Sequence, residues 1–358
     1  MRNLLGVVAT LMLGLMAVAA NAHEVDLHHL PLGDGKLSTA PKVGSIWACR
    51  IDPNAGGAQV DGPWIDHATQ TYDFTKKAVV QGHVVWRPDF HMSVEGAKRV
   101  FVTNDLPDHA TGVFPISPSE PAYQYDRNPN SIRTQTVQIS LDADPGLAAE
   151  PTCAPGAVGI LLTGSVLFNA LDAPGRDAVA HETQDGCQGH PQESGVYHYH
   201  SLTTCREDKR LPDGHSALVG YAIDGFGIFG RYGEGGKALA SADLDACHGH
   251  THAIPWDGKI VVMYHYHATW DFPYTVGCLR GAYDRATVRA ISGPPPSRGG
   301  PPRGGGRGPP DLAAAAAKLG LSQERLMQAL GPPPPDFDKA AATLGIGVEA
   351  LKAALGAP

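Results

Sequence analysis

Five histidines fall between Cys247 and Cys278, in the segment CHGHTHAIPWDGKIVVMYHYHATWDFPYTVGC. A shorter segment upstream, Cys187 to Cys205 (CQGHPQESGVYHYHSLTTC), follows the same plan: Cys, one residue, Gly-His, a turn-rich spacer, Tyr-His-Tyr-His and a closing Cys. Neutral imidazole is the commonest metal ligand and suits zinc, copper, iron or nickel. Residues two apart in a strand share a face, about 6.5–7 Å from each other. Each Tyr-His-Tyr-His therefore sets both histidines on one face and both tyrosines on the other. His198 and His200 could share one ion, as could His265 and His267, with His190 or His250 of the Gly-His turn as a third ligand. The second copy also carries His248 and His252 where the first has Gln188 and Gln192, so it is richer in ligands and is the one expected to be filled if only one is. The same spacing, free of any ion, would also serve a histidine-tyrosine hydrogen-bond network tying together loops rich in Gly and Pro.

Between the copies lies HSALVGYAIDGFGIFG, from His215 to Gly230. His215 and Asp224 form a candidate base and partner, or one further ligand; the plainer alternative is a hydrogen bond closing a turn. Gly225, Gly227 and Gly230 spell a nominal dinucleotide fingerprint, but no helix start follows and no βαβ unit surrounds it, so the match is accidental. Metalloprotease, nucleophile-elbow and P-loop signatures do not occur.

Six cysteines (49, 153, 187, 205, 247, 278) bear on compartment. The opening MRNLLGVVATLMLGLMAVAANA has a positive start, an apolar run and small residues at its end, which reads as a signal peptide over 1–22. Export favours disulfides, and the bracketing suggests Cys187 with Cys205 and Cys247 with Cys278, leaving Cys49 with Cys153. The rival is zinc ligation through Cys187-x-x-His190 and Cys247-x-x-His250. Cleavage after Ala22 would make His23 the new N-terminus, and cleavage after Ala20 would make it the third residue; both arrangements suit copper, but the preferred reading is a histidine that simply falls near the scissile bond. His28 and His29 follow in a polar, exposed stretch. A formal charge of -8 argues against nucleic-acid or anionic-membrane partners. No membrane insertion is expected after signal cleavage, and the protein is expected to be periplasmic or secreted.

The elements that must hold these histidines are strands. Gln81–Trp86, Lys98–Thr103 and Thr134–Leu141 are β-branched, aromatic or alternating runs, and Ala157–Asn169 reads as two buried strands around Thr163-Gly164. The expected fold is mainly β: one large β-rich domain with long loops over 23–291, plus a small α-helical appendage. A Pro/Gly-rich linker over 292–310 separates them. From 311 to 358 the chain repeats with a period of 25 residues, DLAAAAAKLGLSQERLMQALG against DFDKAAATLGIGVEALKAALG, which predicts two helical hairpins. Export and low basic content exclude a DNA reader and leave a docking module or inert packing.

The ordered string Asp-x-Cys-x-Gly-His, Tyr-His-Tyr-His, His-Ser, Gly-Tyr-Ala-Ile-Asp-Gly-Phe, Leu-Asp-x-Cys-x-Gly-His-Thr-His, Tyr-His-Tyr-His and Pro-Tyr resembles the YHYH domain family. The resemblance covers roughly residues 80–283, counting Asn104-Asp-Leu-Pro-Asp-His109, and leaves out the signal peptide, linker and helical repeat. It adds weight to His109, His190, His198, His200, His215, Asp224, His250, His252, His265 and His267. It implies no activity, because the family is named for its motif, and the motif leaves the Gln188 and His248 position free.

Three functional expectations follow. The first is a metal carrier or sequestering protein that binds copper or zinc through His190, His198, His200, His250, His252, His265 and His267. The second is a metalloenzyme, hydrolase or oxidoreductase, with a three-histidine ion and Asp224, Asp185 or Asp245 as base or orienting group. The third is a metal-free exported interaction module. A small-molecule or protein partner is of unknown identity. Scattered methionines (Met92, Met263, Met327) count against Cu(I) carriage.

Overall fold

The computed structural model describes residues 25–51, 56–293, 312–321, 323–330 and 337–355. The segment expected to be a signal peptide, His23 and nearly all of the expected linker lie outside the described residues. The chain is mainly β, and its described residues fall into two compact units, the larger running to Gly293 apart from Ser117–Ser119 and the smaller holding the C-terminal helices.

In the larger unit, β1 (Leu30–Pro31), β2 (Ile65–Asp66) and β3 (Thr71–Tyr72) form a small sheet in the order β1-β3-β2. A second antiparallel sheet joins β4 (Phe90–Glu95), β5 (Lys98–Thr103) and β6 (Val137–Asp142). The burial of β6 alternates strictly, as its apolar-polar pattern predicts. Gln81–Trp86 departs from the expected strand. Only Val84 makes a bridge there, to Thr111, and Gly82 adopts a left-handed φ of 137° that breaks an extended run.

The main sheet has eight strands: β8 (Ala157–Leu161), β9 (Val166–Phe168), β10 (Gly189–Pro191), β11 (Tyr197–Tyr199), β12 (Leu218–Ala222), β13 (Gly227–Phe229), β14 (Gly249–Trp256) and β15 (Lys259–His267). Their order is β10-β11-β9-β8-β12-β13-β15-β14. This order is a palindrome. Antiparallel hairpins β8-β9 and β12-β13 meet back to back through β8 and β12. Each then takes a parallel partner, β11 or β15, and that strand pairs antiparallel with β10 or β14. Central β8 is buried along its whole length, consistent with its continuous apolar run. Beyond this sheet, β7 (Leu147–Thr152) pairs with β16 (Leu279–Gly281). One helix, α1 (Ala178–His181), is capped by the Asp177 carboxylate, and another, α2 (Arg285–Ile291), by Asp284.

The motif duplication thus extends to whole half-sheets. The hairpin AVGILLTGSVLFN matches LVGYAIDGFGIFG position for position, and the nominal dinucleotide fingerprint is the turn and second strand of the β12-β13 hairpin. Gly225 sits in that turn with φ 92°.

All six cysteines are paired as expected: Cys49 with Cys153, Cys187 with Cys205 and Cys247 with Cys278. Cysteine-zinc ligation is therefore overturned, since no thiolate is left to bind an ion.

In the smaller unit, α3 (Leu312–Leu319), α4 (Gln323–Leu330), α5 (Phe337–Leu344) and α6 (Val348–Leu355) form two hairpins, with α3 packed on α6 and α4 on α5. Leu326 and Leu351, matched across the repeat, are both fully buried in the shared core. Gly320 and Gly345 follow the first helix of each hairpin with φ of 66° and 69°, the left-handed geometry that ends a helix most cheaply with glycine.

Candidate metal centre

Strand alternation distributes the motif as its spacing predicts, and each face acquires its own chemistry. On the tyrosine face, Tyr264 donates to Asp245 (3.0 Å) and Tyr266 to Asp224 (2.6 Å). In the first copy Tyr197 donates to Asp185 (2.9 Å) and Tyr199 to Thr163 (3.2 Å). Asp185 and Asp245 also accept the backbone N–H groups of their own Cys-x-Gly turns. A side chain at Gly189 or Gly249 would strike the Tyr197 or Tyr264 phenol, which explains the glycine of each Gly-His pair. These carboxylates organise turns and tyrosines.

On the opposite face the imidazoles converge. Cross-strand pairing sets His250 opposite His265 and His190 opposite His198. In the second copy the Nε2 atoms form a closed ring: His215 to His265, 3.2 Å; His265 to His250, 3.0 Å; His250 to His267, 3.1 Å; His267 to His215, 3.1 Å. Three of the four rings have Nδ1 against a backbone carbonyl: His215 on Ser216 (2.7 Å), His265 on Met263 (3.0 Å) and His267 on Gly230 (2.6 Å). A carbonyl can only accept, so each Nδ1 carries the proton and each of these Nε2 atoms presents a bare lone pair. Burial pushes His265 down to about 3, and pushes His267 well down too, with His265 adding to the effect. Burial likewise lowers His215 and His250. The ring is therefore electrically neutral near pH 7 and short of protons to place between facing nitrogens. A cation at its centre removes the conflict. Tetrahedral zinc at about 2.0–2.1 Å from each nitrogen spaces neighbouring ligands roughly 3.3 Å apart, and a square-planar ion roughly 2.9 Å; the observed edges lie between these. The residues present fit a metal ion.

The first copy builds its half of this arrangement with His190, His198 and His200, all buried, with ligand atoms within 4.8 Å of one another. His200 Nδ1 meets the Asn169 carbonyl at 2.5 Å and His198 Nδ1 the Val196 carbonyl at 3.3 Å. Asn169 and Gly230, the carbonyls that orient His200 and His267, occupy matching hairpin positions. Phe168 stacks on His198 at 4.0 Å, and its counterpart Phe229 meets His265 edge-on at 4.8 Å. Neither nitrogen of His190 has a hydrogen-bond partner, a costly state for a buried imidazole. Burial holds His200 at about 4 and His190 and His198 well below their ordinary value.

Other sequence candidates take different places. The pairing of His215 with Asp224 is not formed: the Asp224 carboxylate is held on the tyrosine face by Tyr266 and the N–H groups of Arg280 and Gly281. His215 joins the ligand ring instead. His252 stays outside it, stacked on His215 at 5.5 Å with its Nε2 3.3 Å from Glu234. His248 hydrogen-bonds Thr269, in a left-handed backbone position that Gln188 shares. His109 lies on the tyrosine side, 2.6 Å from the Tyr199 hydroxyl. It approaches Cys187 and Cys205, whose disulfide rules out ligation. His28 and His29 are exposed, near Asp73 and Asp26. A cleft of about 440 Å³ is lined by residues including Leu161, Leu202, Arg206 and Val219 and by none of the clustered histidines. Sequence reasoning passed over Glu182, whose Oε2 lies 3.6 Å from His190 Nε2 and 3.4 Å from His200 Nε2.

Fold and site define a disulfide-bonded β protein whose duplicated sheet carries two buried imidazole clusters. Residues 138–238 match the family described as YHYH protein, which supports a YHYH domain in this part of the chain. The matched segment includes the first cluster and His215, and ends before the second motif copy. No curated protein and no solved structure matches the chain.

Proposed function

We propose that this is an exported protein that binds a transition metal, copper or zinc, through its two histidine-rich motif copies, in carriage or sequestration. The observation that carries the reading is the ring of four Nε2 atoms at 3.0–3.2 Å, three of them fixed as lone-pair donors by carbonyls behind the rings. A metal-free network would place a proton between each pair of facing nitrogens, and these tautomers leave too few. Histidine at all four positions favours holding an ion over opening a position to water, so the metalloenzyme alternative draws less support at this cluster. Three disulfides, together with the absence among the described residues of a helix long and apolar enough to cross a membrane, fit export to the periplasm or beyond. The charge of -8 supports a partner other than nucleic acid.

The test is elemental analysis of the mature, untagged protein purified from its own exported compartment, beside a His265→Ala/His267→Ala variant. Stoichiometric copper or zinc in the wild type, reduced by one equivalent in the variant, is the expected result. An absence of metal in both, with only stability lost in the variant, would overturn the reading.

A further inference from the structure

We propose that Glu182 completes the first cluster as a fourth ligand, making it a three-histidine, one-carboxylate site for a divalent first-row cation, chemically distinct from the four-imidazole site. The inference rests on the metal-binding reading above and extends it to a second ion with its own selectivity. Three observations support it. The Glu182 carboxylate oxygen lies 3.6 Å and 3.4 Å from the Nε2 atoms of His190 and His200, two edges close to the roughly 3.3 Å between neighbouring ligands of a tetrahedral ion, while it stands outside the 4.8 Å group that includes His198. His190 is buried with neither nitrogen hydrogen-bonded, and its Nε2 is the atom that approaches Glu182. The duplication supplies the third. Ala154 stands in the first copy where His215 stands in the second, and Ala242 stands in the second where Glu182 stands in the first. Each copy thus lacks the other's fourth ligand and has its own.

The two fourth ligands arrive by different routes. His215 comes from the chain entering β12, whereas Glu182 directly follows α1, whose Asp177 cap ties the helix down. A carboxylate oxygen is a harder donor than imidazole and adds a negative charge. It therefore shifts preference from Cu(II) toward zinc, iron or manganese.

The experiment is zinc titration of the apo full-length mature protein against a chromophoric chelator, with Glu182→Gln and His265→Ala/His267→Ala variants in parallel. The expected result is two zinc ions per wild-type chain. Glu182→Gln should weaken one site at least tenfold and leave the other unchanged, while the double variant should lose only the other. A single zinc site in the wild type, abolished by the double variant, would overturn this inference and leave the proposed function standing; no zinc or copper at all would remove both. Unchanged affinities in Glu182→Gln would also overturn it. Should that variant fold poorly, the zinc-loaded wild type decides: anomalous diffraction should place an ion about 2.0–2.2 Å from Glu182, and a carboxylate left more than about 3 Å from the ion refutes the assignment.

Discussion

Replacing His250 by alanine tests the four-imidazole ring most directly. His250 Nε2 lies 3.0 Å from His265 and 3.1 Å from His267, so truncation opens the ring at one corner. The residue is only half-buried on β14, which limits the cavity left behind. If free metal stands at about 1,000 times the dissociation constant, binding stabilises the folded state by about 4 kcal/mol. For a unit of this size about 1 kcal/mol shifts the melting temperature by roughly 2–4 °C. Metal in this ring should therefore contribute about 8–16 °C to the wild-type midpoint over the chelated protein, separately from the contribution of the first cluster. Loss of orienting groups behind a ligand already costs 10–100-fold in affinity, so loss of the ligand itself is taken as about 100-fold. The residual increment is then about 1.4 kcal/mol, or roughly 3–6 °C. The assay is differential scanning calorimetry of both proteins, with copper or zinc and with chelator, at one scan rate. Comparing each protein with its own chelated form cancels the packing cost of the substitution. A full increment retained in His250→Ala, or none in the wild type, refutes the reasoning.

Two further expectations concern the scaffold. Burial disfavours the charged form of His181, but hydrogen bonds to Asp34 and Asp61 outweigh it and raise the imidazole to about 9. Its stabilising charge is then complete below the ordinary 6.5 and is lost as pH rises through about 9. Both carboxylates are lowered, Asp61 chiefly by His181 and Asp34 by His181 against its own burial, so their share is present above the usual 3.8 and lost in acid. In chelator, the urea midpoint should fall between pH 6 and pH 9, and His181→Gln should remove most of that slope; an identical slope in both proteins counts against the ion triad. Tyr266→Phe takes from buried Asp224 a 2.6 Å donor and should cost about 1–3 kcal/mol. Because Tyr266 faces away from the ring, metal content should hold. Unchanged stability, or lost metal, would contradict the division of faces.

The strand-borne part of the site was legible because its signal is local. Tyr-His-Tyr-His has a period of two, and a strand converts that directly into two faces. The third histidine of each cluster was equally readable, since the short Cys-x-Gly-His turn brings His190 and His250 back beside their strands. What sequence could not supply were ligands without a fixed offset. His215 drew notice, but Asp224, nine residues on, invited a pairing that the β12-β13 hairpin prevents by turning the carboxylate toward Tyr266. Glu182 carried no motif, and only the placement of α1 brings it to His190 and His200. His252 looked equivalent to its neighbours by count, yet it ends stacked on His215 beside Glu234. The Gln81–Trp86 run had strand composition but only a single bridge to pair with.

The duplicated half-sheets explain why two clusters persist in one chain. Each half needs its tyrosines held by a side-chain acceptor and its imidazoles held by carbonyls. The equivalent groups do this in both: Asp185 and Asp245 for the first tyrosine, Thr163 and Asp224 for the second, Asn169 and Gly230 behind the last histidine. Thr163 and Asp224 mark where the halves diverge on the tyrosine face. A hydroxyl accepts from Tyr199 without charge, whereas the carboxylate also collects two N–H groups from β16. The divergence on the histidine face is of the same kind: a shared frame of three imidazoles, completed by neutral His215 in one half and approached by acidic Glu182 in the other. A frame that fixes three ligands leaves the fourth free to change, and that one position governs net charge and donor hardness. If the two sites hold different ions, the difference traces to His215 and Glu182. Removing them, by Glu182→Ala in one half or His215→Ala in the other, should weaken one affinity at a time and leave the other unchanged.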